Sequence, residues 1–212
     1  MEMGAKQNSI EYEIELVNVC KKYGEKEILN NLNISFPKDK ITVITGPSGV
    51  GKTTLLNIIS GLDTEYEGNI FWHDNVSNKK FSYIFQEDRL IPWLTVYENI
   101  EFVLKSQLNK EQIKKVIDKN LKLVKLYDNR NMLPETLSGG MKRRVAIARA
   151  FAYESNLLLM DEPFKGLDND LKKEIIEEFL TIWNNNRRTV ILITHDKGEA
   201  EALGHYIYKM EE

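Results

Sequence analysis

The strongest chemical signal in the sequence is an octapeptide, Gly46-Pro47-Ser48-Gly49-Val50-Gly51-Lys52-Thr53. It fits the phosphate-loop pattern G-x-x-x-x-G-K-[ST], in which glycine-rich backbone turns its N–H groups inward to hold phosphate oxygens. In this pattern the lysine reaches the β- and γ-phosphates, and the hydroxyl that follows it ligates Mg²⁺. The octapeptide and the adjacent Thr54 are therefore predicted to bind a nucleoside triphosphate with Mg²⁺.

Two adjacent carboxylates follow an apolar run later in the chain. The run Leu157–Met160 is typical of a buried strand, and Asp161-Glu162-Pro163 comes directly after it. Open α/β sheets bind ligands at the carboxyl ends of their strands. We therefore assign Asp161 to the Mg²⁺ shell and Glu162 to polarising the water that attacks the γ-phosphate. Without the phosphate loop, the same pair would more simply cap the next helix.

Short elements around these residues supply the positions that the chemistry needs. Ile41–Thr45 is a short run of β-branched residues in which apolar and polar positions do not alternate, as expected of a strand buried on both faces. The phosphate loop follows it directly. Thr53–Ser60 is predicted to form a helix closed by Gly61. This strand–loop–helix order argues against a chance match in a glycine turn.

The rest of the chain predicts an α/β fold with a helical insertion. Strands are predicted at Ile10–Val19, Ile28–Phe36, Ser82–Phe85, Leu157–Met160, Thr189–Thr194 and Tyr206–Met210. Helical stretches between several of them favour a mainly parallel sheet. Between Ile100 and Ser155 no strand is convincing, and helices are predicted at Glu111–Tyr127 and from about Met141 to Tyr153. We divide the single domain 1–212 into a core of 1–86 and 155–212, and a helical part of 87–154.

Composition limits the class of protein. The chain has 212 residues with 42% hydrophobic and 29% charged residues, which suits one globular domain. No apolar run approaches the roughly 20 residues of a membrane span. The polar stretch Met1–Ile10 lacks the core of a secretory signal, and the single Cys20 has no disulfide partner. We expect a chain that works in the cytoplasm.

Charge argues against a nucleic-acid partner. The net charge is −3, although Lys105 to Arg149 carries 12 Lys and Arg against 4 Asp and Glu, a balance of +8. We interpret this basic stretch as a solvated helix face rather than an anion-binding surface.

A second glycine-rich run, Leu137-Ser138-Gly139-Gly140-Met141, resembles the signature sequence of ABC-transporter ATPases. The resemblance covers nearly the whole chain. It implies a P-loop NTPase core with an N-terminal antiparallel β subdomain and an inserted α-helical subdomain. It also implies further site residues: Tyr23 stacked on adenine, Gln86 near Mg²⁺ and the attacking water, Asp168 in a loop between subunits, and His195 on the γ-phosphate.

The order of these motifs along the chain supports the resemblance more than any single residue does. The predicted catalytic residues are then Glu162, His195, Gln86 and Lys52. Ser138, Gly139 and Gly140 would form a second anion nest at a helix start. One chain cannot place both nests on one nucleotide, so the resemblance implies a head-to-tail dimer with two ATP molecules between the subunits.

Two positions depart from the family pattern. Met141 stands where the signature usually has glutamine, and a thioether cannot reproduce a glutamine hydrogen bond. Contacts to the opposite nucleotide's sugar are therefore expected to be weaker. Lys165 stands where small residues are usual, and the sequence offers no explanation for it.

The segment Gln86–Ile100 resembles its counterpart in ATPases of the nitrate, sulfonate and taurine importer group. In the family this stretch receives a helix of the membrane subunit, and here the apolar and aromatic surface comprises Arg89, Leu90, Pro92, Trp93 and Tyr97. The alternative is that Trp93 and Leu94 pack inside the helical part. The implied partners are transmembrane permease subunits, a solute-binding protein and a second ATPase subunit, at the cytoplasmic face of the membrane.

Three functions stay open on the sequence. The first is the ATPase subunit of an importer for a small solute or anion. The second is a soluble ABC ATPase acting on nucleic acid or translation, although the usual paired domains, coiled coil and zinc-binding cysteines are missing from the sequence. The third is a kinase or GTPase that does not dimerise, which the signature run and His195 disfavour.

Overall fold

The computed structural model of the chain describes residues 10–73 and 80–211. The strands in these ranges are β1 (Tyr12–Tyr23), β2 (Lys26–Pro37), β3 (Ile41–Thr45), β4 (Glu67–Trp72), β5 (Phe81–Ile84), β6 (Leu157–Asp161), β7 (Thr189–Ile193) and β8 (Tyr206–Lys209). The α-helices are α1 (Lys52–Ile59), α2 (Val96–Leu104), α3 (Lys110–Leu123), α4 (Gly139–Ala152), α5 (Asn169–Asn185) and α6 (Lys197–Leu203). Short 3₁₀ turns at Tyr127–Asn129 and Pro134–Thr136 lie between α3 and α4.

A five-stranded parallel sheet, in the order β5-β6-β7-β3-β8, forms the centre of the molecule. Asp161 of β6 pairs with Ile193 of β7, and Ile193 pairs with Ile44 of β3. The carboxyl ends of these three strands therefore meet at one edge, where the phosphate loop, the acidic pair and His195 follow them. The predicted mainly parallel sheet is confirmed.

A separate antiparallel sheet has the order β2-β1-β4. The two faces of the parallel sheet pack in two hydrophobic cores, because β6 and β7 alternate their side chains between faces. Leu157 and Leu159 face the core around α1 and the antiparallel sheet, whereas Leu158 and Met160 face the core that continues into the helices. The parallel sheet is thus covered on both faces.

The helical insertion shares the larger of these two cores with the parallel sheet. Ile113, Ile117 and Leu121 of α3 pack in the same buried cluster as Val43 of β3 and Leu158 of β6. Between residues 96 and 152, all of which the structure describes, the chain forms helices and 3₁₀ turns without a strand. The fold class agrees with the prediction, and the exact boundaries 87 and 154 stay a prediction.

β4 and α2 were not predicted from the sequence, and α5 and α6 were expected only as helical stretches between strands, without bounds. β4 was missed because Glu67, Gly68 and Asn69 are poor strand formers and all are exposed; pairing with β1 forms the strand. α2 was missed although Thr95 and Glu98 make reciprocal capping bonds, a signal that the spacing T-x-x-E carries. The other elements differ from their predicted bounds by up to four residues.

No helix within residues 10–73 and 80–211 is both long and apolar enough to traverse a lipid bilayer.

Candidate nucleotide-binding and catalytic site

The phosphate loop requires glycine at two close approaches. Gly51 precedes α1 with φ 99°, and a Cβ atom there would lie 2.7 Å from Leu29 Cδ2. Gly46 has φ 144°, and its Cβ would lie 2.4 Å from the Met210 carbonyl oxygen. Among the described residues no side chain caps the start of α1. The first-turn N–H groups are therefore left for a ligand, at the positive end of the helix.

The Lys52 side chain folds back onto the first residues of this loop. Its ammonium group donates hydrogen bonds to the carbonyl oxygens of Gly46 at 2.9 Å and Pro47 at 2.6 Å. The cation is thus held beside the backbone that would surround a phosphate. This position agrees with its predicted role, which stays a prediction.

Thr53 and Asp161 meet across the sheet edge. The Thr53 hydroxyl donates to Asp161 Oδ2 at 2.7 Å, and Asp161 is only 2% exposed. Burial raises the pKa of Asp161, and the bond from Thr53 opposes the rise. Hard oxygen ligands of this kind suit Mg²⁺. The described residues contain no cluster of three or more His, Cys, Asp or Glu side chains able to hold a metal.

Glu162 has an unusual backbone conformation. Its φ of 46° lies in the left-handed region, which costs a non-glycine residue on the order of 1–3 kcal/mol. The Glu162 N–H donates to the Ile193 carbonyl at 2.9 Å, which ties this turn to the end of β7. Asp161 contacts Thr53 whereas Glu162 contacts Lys165 and His195, so the two carboxylates can take separate tasks.

Each carboxylate oxygen of Glu162 faces a basic side chain. His195 Nδ1 lies 3.2 Å from Oε1, and Lys165 Nζ lies 2.8 Å from Oε2. Burial alone would raise the pKa of Glu162, but the contacts with Lys165 and His195 outweigh it and lower the pKa. Lys165, which the sequence left unexplained, is therefore an ion-pair partner of the predicted catalytic carboxylate.

A cavity of about 330 Å³ lies beside the phosphate loop, and neither His195 nor Lys165 lines it. Its lining comprises Lys26, Ile28, Ser48, Gly49, Gly51, Lys52, Thr53, Thr54, Gln86, Asp161, Glu162 and Ile193. Most of the predicted phosphate-loop and catalytic residues are thus brought together. Of the described residues that line it, none belongs to the signature run.

The signature run begins α4 at another position. Ser138 is the N-cap, and its hydroxyl accepts from the Met141 N–H at 3.3 Å. Gly139 is exposed, and a Cβ on Gly140 would lie 3.6 Å from the Gly166 carbonyl oxygen. Asp168 caps α5 by accepting from the Leu171 N–H at 2.9 Å. The predicted contacts of these residues with ATP and with another subunit stay predictions.

Tyr23 lies at the end of β1, next to the phosphate-loop helix. Its hydroxyl donates to Asp63 Oδ2 at 2.6 Å. The ring is half exposed, as stacking on adenine would require. Stacking stays a prediction, and the bond to Asp63 gives the side chain a structural role as well.

The predicted docking segment is part surface and part core. Trp93 is 77% exposed, so the alternative that it packs inside the helical part is wrong; Leu94 is half-buried. Leu90 and Tyr97 pack against the larger core, because they flank the turn into α2. Of the five predicted docking side chains, Arg89, Pro92 and Trp93 are therefore exposed; docking itself stays a prediction.

One residue of the site, Arg143, was not predicted from the sequence. It lies in the second turn of α4 and is only 4% exposed. Its guanidinium group donates to the backbone carbonyls of Gln86 and Glu162. A signal was available in α4, because Arg143 is the first of its buried residues and the others are apolar. Buried arginine needs several acceptors, and such acceptors lie at loops and strand ends.

Comparison with known proteins gives consistent results. The ABC transporter family model matches residues 29–165. The aliphatic sulfonates import ATP-binding protein SsuB of Bacillus cereus is 41% identical over 90% of this chain and 76% of that protein. The spermidine/putrescine import ATP-binding protein PotA of Clostridium acetobutylicum is 41% identical over 88% of this chain and 55% of that protein.

Solved structures agree with the sequence comparison. The dimeric bacterial ABC transporter cassette MJ0796 has a TM-score of 0.83 and 32% identity, covering 93% of this chain and 94% of that one. The same cassette in a post-hydrolysis state, bound to ADP and Pi, gives the same values. The likeness to SsuB confirms the predicted resemblance to the sulfonate importer group. By its fold, its motifs and these relatives, the chain belongs to the ABC transporter family and is an ATP-binding subunit that hydrolyses ATP.

Proposed function

We propose that this chain is the ATPase subunit of an ABC importer and works with Mg²⁺ at the cytoplasmic face of the cell membrane. The support is that relatives at similar identity, SsuB and PotA, are both named import ATP-binding proteins. Their named solutes are a sulfonate and polyamines, which differ in charge. The proposal therefore extends to import and to no particular solute.

The catalytic assignment derives from one observation, the convergence at the sheet edge. Three contacts lie at this edge. Thr53 donates to Asp161 at 2.7 Å, Glu162 lies 3.2 Å from His195, and Lys52 donates to the Gly46 carbonyl. Thr53, Asp161 and Gln86 would hold Mg²⁺, which neutralises developing charge on the phosphates. Glu162 orients and polarises the attacking water. Lys52 and His195 stabilise the charge of the transferred phosphoryl group.

The second ATPase subunit supplies the remaining donors. Ser138, Gly139 and Gly140 are exposed or half-exposed and do not line the cavity of their own chain. In a head-to-tail dimer, the start of α4 in one chain would face the phosphates bound to the other. Asp168 would lie in the loop between subunits. The dimeric form of the MJ0796 cassette supports dimerisation.

A membrane partner would contact the exposed part of the docking surface. Trp93 is a large apolar side chain with 77% of its surface exposed, beside Pro92 and Arg89. Such a site suits an apolar helix of a permease subunit. A solute-binding protein would complete the importer outside the membrane, and no nucleic-acid partner is proposed.

The function is tested by Glu162→Gln in the purified chain. We expect ATP binding to persist, hydrolysis to fall by about 10²-fold or more, and an ATP-dependent dimer to accumulate in sedimentation velocity. Lys114→Ala, on the exposed face of α3, is the control and should match the wild type. Wild-type hydrolysis by Glu162→Gln would contradict the assignment.

Two further measurements address the alternatives. Equal turnover of GTP by a monomer would favour a kinase-like or GTPase-like protein. Binding to nucleic acid that weakens steeply with salt would favour the non-transport ABC ATPase.

A further inference from the structure

Arg143 is buried between two parts of the site that come from distant regions of the chain. It lies on α4, which packs against β5, α2 and α3. On one side of the guanidinium group is the turn after β6, which carries the acidic pair. On the other side is the turn after β5, where the segment of Gln86 begins.

The contacts on the acidic side are all with backbone. Arg143 Nε donates to the Pro163 carbonyl at 2.7 Å, and Nη2 donates to the Asp161 carbonyl at 3.0 Å. Nη2 also donates to the carbonyl of Glu162. Glu162 is the residue in the left-handed conformation, so the guanidinium group holds the backbone position from which the catalytic carboxylate projects.

The contacts on the opposite side are with the start of the docking segment. Arg143 Nη1 donates to the Phe85 carbonyl at 2.5 Å and to the Gln86 carbonyl at 3.4 Å. Asp88 Oδ1 lies 3.4 Å from the same nitrogen and supplies the countercharge. One rigid, planar group thus binds both turns, and neither turn can shift without breaking bonds to it.

Two other arginines of α4 bind only one region each. Arg149 donates to the carbonyls of Arg89 at 2.9 Å and Asp88 at 3.1 Å. Arg144 donates to the Val124 carbonyl at 3.0 Å, at the end of α3. Arg149 is therefore a matched control, because it holds the docking segment from the same helix without contacting the acidic turn.

We propose that Arg143 is a positioning residue that couples the docking segment, residues 86–100, to the backbone of Glu162. This inference rests on the proposed function of both regions. When the docking segment moves, the Phe85 and Gln86 carbonyls shift the guanidinium group, and the group shifts the Glu162 carbonyl. The signature helix carries the same arginine, so the start of α4 moves with both turns.

The first test measures steady-state ATP hydrolysis in the full chain. Arg143→Met should lower kcat roughly 10- to 100-fold, since small misplacements of catalytic groups have effects of that size. KM should change by less than about twofold, because no group that binds ATP is removed. Arg149→Met should lower kcat by less than about threefold. Its melting temperature should be similar to that of Arg143→Met.

A second variant guards against a folding defect. Arg143→Lys keeps the buried charge, but a single ammonium group cannot bind the turns on both sides at once. Its kcat should also fall at an unchanged KM. A folded Arg143→Lys protein with wild-type kcat would overturn the proposal, and so would equal losses in the Arg143 and Arg149 variants.

The second test measures the coupling itself. An environment-sensitive dye on Trp93→Cys, in a Cys20→Ser background, reports on the docking segment. Adding ATP and Mg²⁺ should change its emission in the reporter protein and in Arg149→Met, but not in Arg143→Lys. An emission change on adding ATP that persists in Arg143→Lys would overturn the proposal. So would the lack of any emission change in the reporter protein that keeps Arg143. Failure of the proposed function would instead appear as normal hydrolysis by Glu162→Gln.

Discussion

The phosphate loop and the signature run are both glycine-rich starts of helices, but they differ in what surrounds them. At the phosphate loop, α1 begins without a side-chain cap, and Lys52, Asp161 and Glu162 lie around its N–H groups. At the signature, Ser138 already caps α4, and Gly139 faces solvent. The first is surrounded by the predicted catalytic groups of its own chain, and the second is not.

This difference shows why the two runs carry different information. A phosphate loop needs its own strand, its lysine and the neighbouring strand ends, all of which one chain provides. A bare nest at a helix start has partial positive charge but no group to activate water. On the proposed function, its use depends on a nucleotide bound to a second molecule.

The largest effect should follow loss of the phosphate-loop cation. Lys52→Ala removes the charge that lies beside Gly46 and Pro47, and we expect hydrolysis to fall about 10³-fold, in line with loss of a transition-state donor. ATP affinity measured by calorimetry should fall too. Lys142→Ala, near the signature, should retain ATP affinity; a similar loss there would erase the contrast between the two runs.

A smaller loss should follow a negative charge in the signature. Gly139→Asp has open space for its side chain, and an acidic residue at a helix start stabilises the helix. The carboxylate would repel phosphate from another chain, so hydrolysis should fall by about 10²-fold. Affinity of the monomer for ATP should stay unchanged. Weakened binding by the monomer would mean that the run serves its own nucleotide.

A modest gain should follow removal of the ion pair at Glu162. Lys165→Ala frees Oε2, and the carboxylate becomes a stronger base, so kcat should rise by about threefold. Lys165→Arg keeps the charge and should behave as the wild type. A lower kcat in Lys165→Ala would show that the ammonium group assists the reaction rather than restraining the carboxylate.

The smallest effect concerns stability. Ser138→Ala removes the cap of α4 and should lower the free energy of unfolding by about 1 kcal/mol. Ser48→Ala, in the uncapped phosphate loop, should change it by less than about 0.5 kcal/mol. Chemical denaturation of both variants measures the difference. Equal changes would show that the two helix starts are not distinguished by capping.

Local patterns allowed much of the fold and site to be predicted. The phosphate loop and the acidic pair follow buried strands whose apolar runs are continuous in the sequence, and those strands were correctly located. β4 could not be predicted, because exposed Glu67, Gly68 and Asn69 form a strand only through pairing with β1.

Other features depend on contacts that spacing does not reveal. Arg143 binds carbonyls 18 to 58 residues away, so its role needs the folded chain. Lys165 reaches Glu162 from three residues away, in a turn where Glu162 has a left-handed backbone. A carboxylate pattern alone does not indicate that backbone conformation.

The central claim, that the signature of one chain meets the nucleotide of another, is tested most directly by cross-linking. Ser48→Cys and Ser138→Cys are combined in a Cys20→Ser, Glu162→Gln background and treated with a short bifunctional thiol reagent. With ATP and Mg²⁺ we predict a covalent dimer linking position 48 of one chain to position 138 of the other, identified by peptide mass spectrometry. A link within one chain, or a dimer yield that is independent of ATP, would contradict the account.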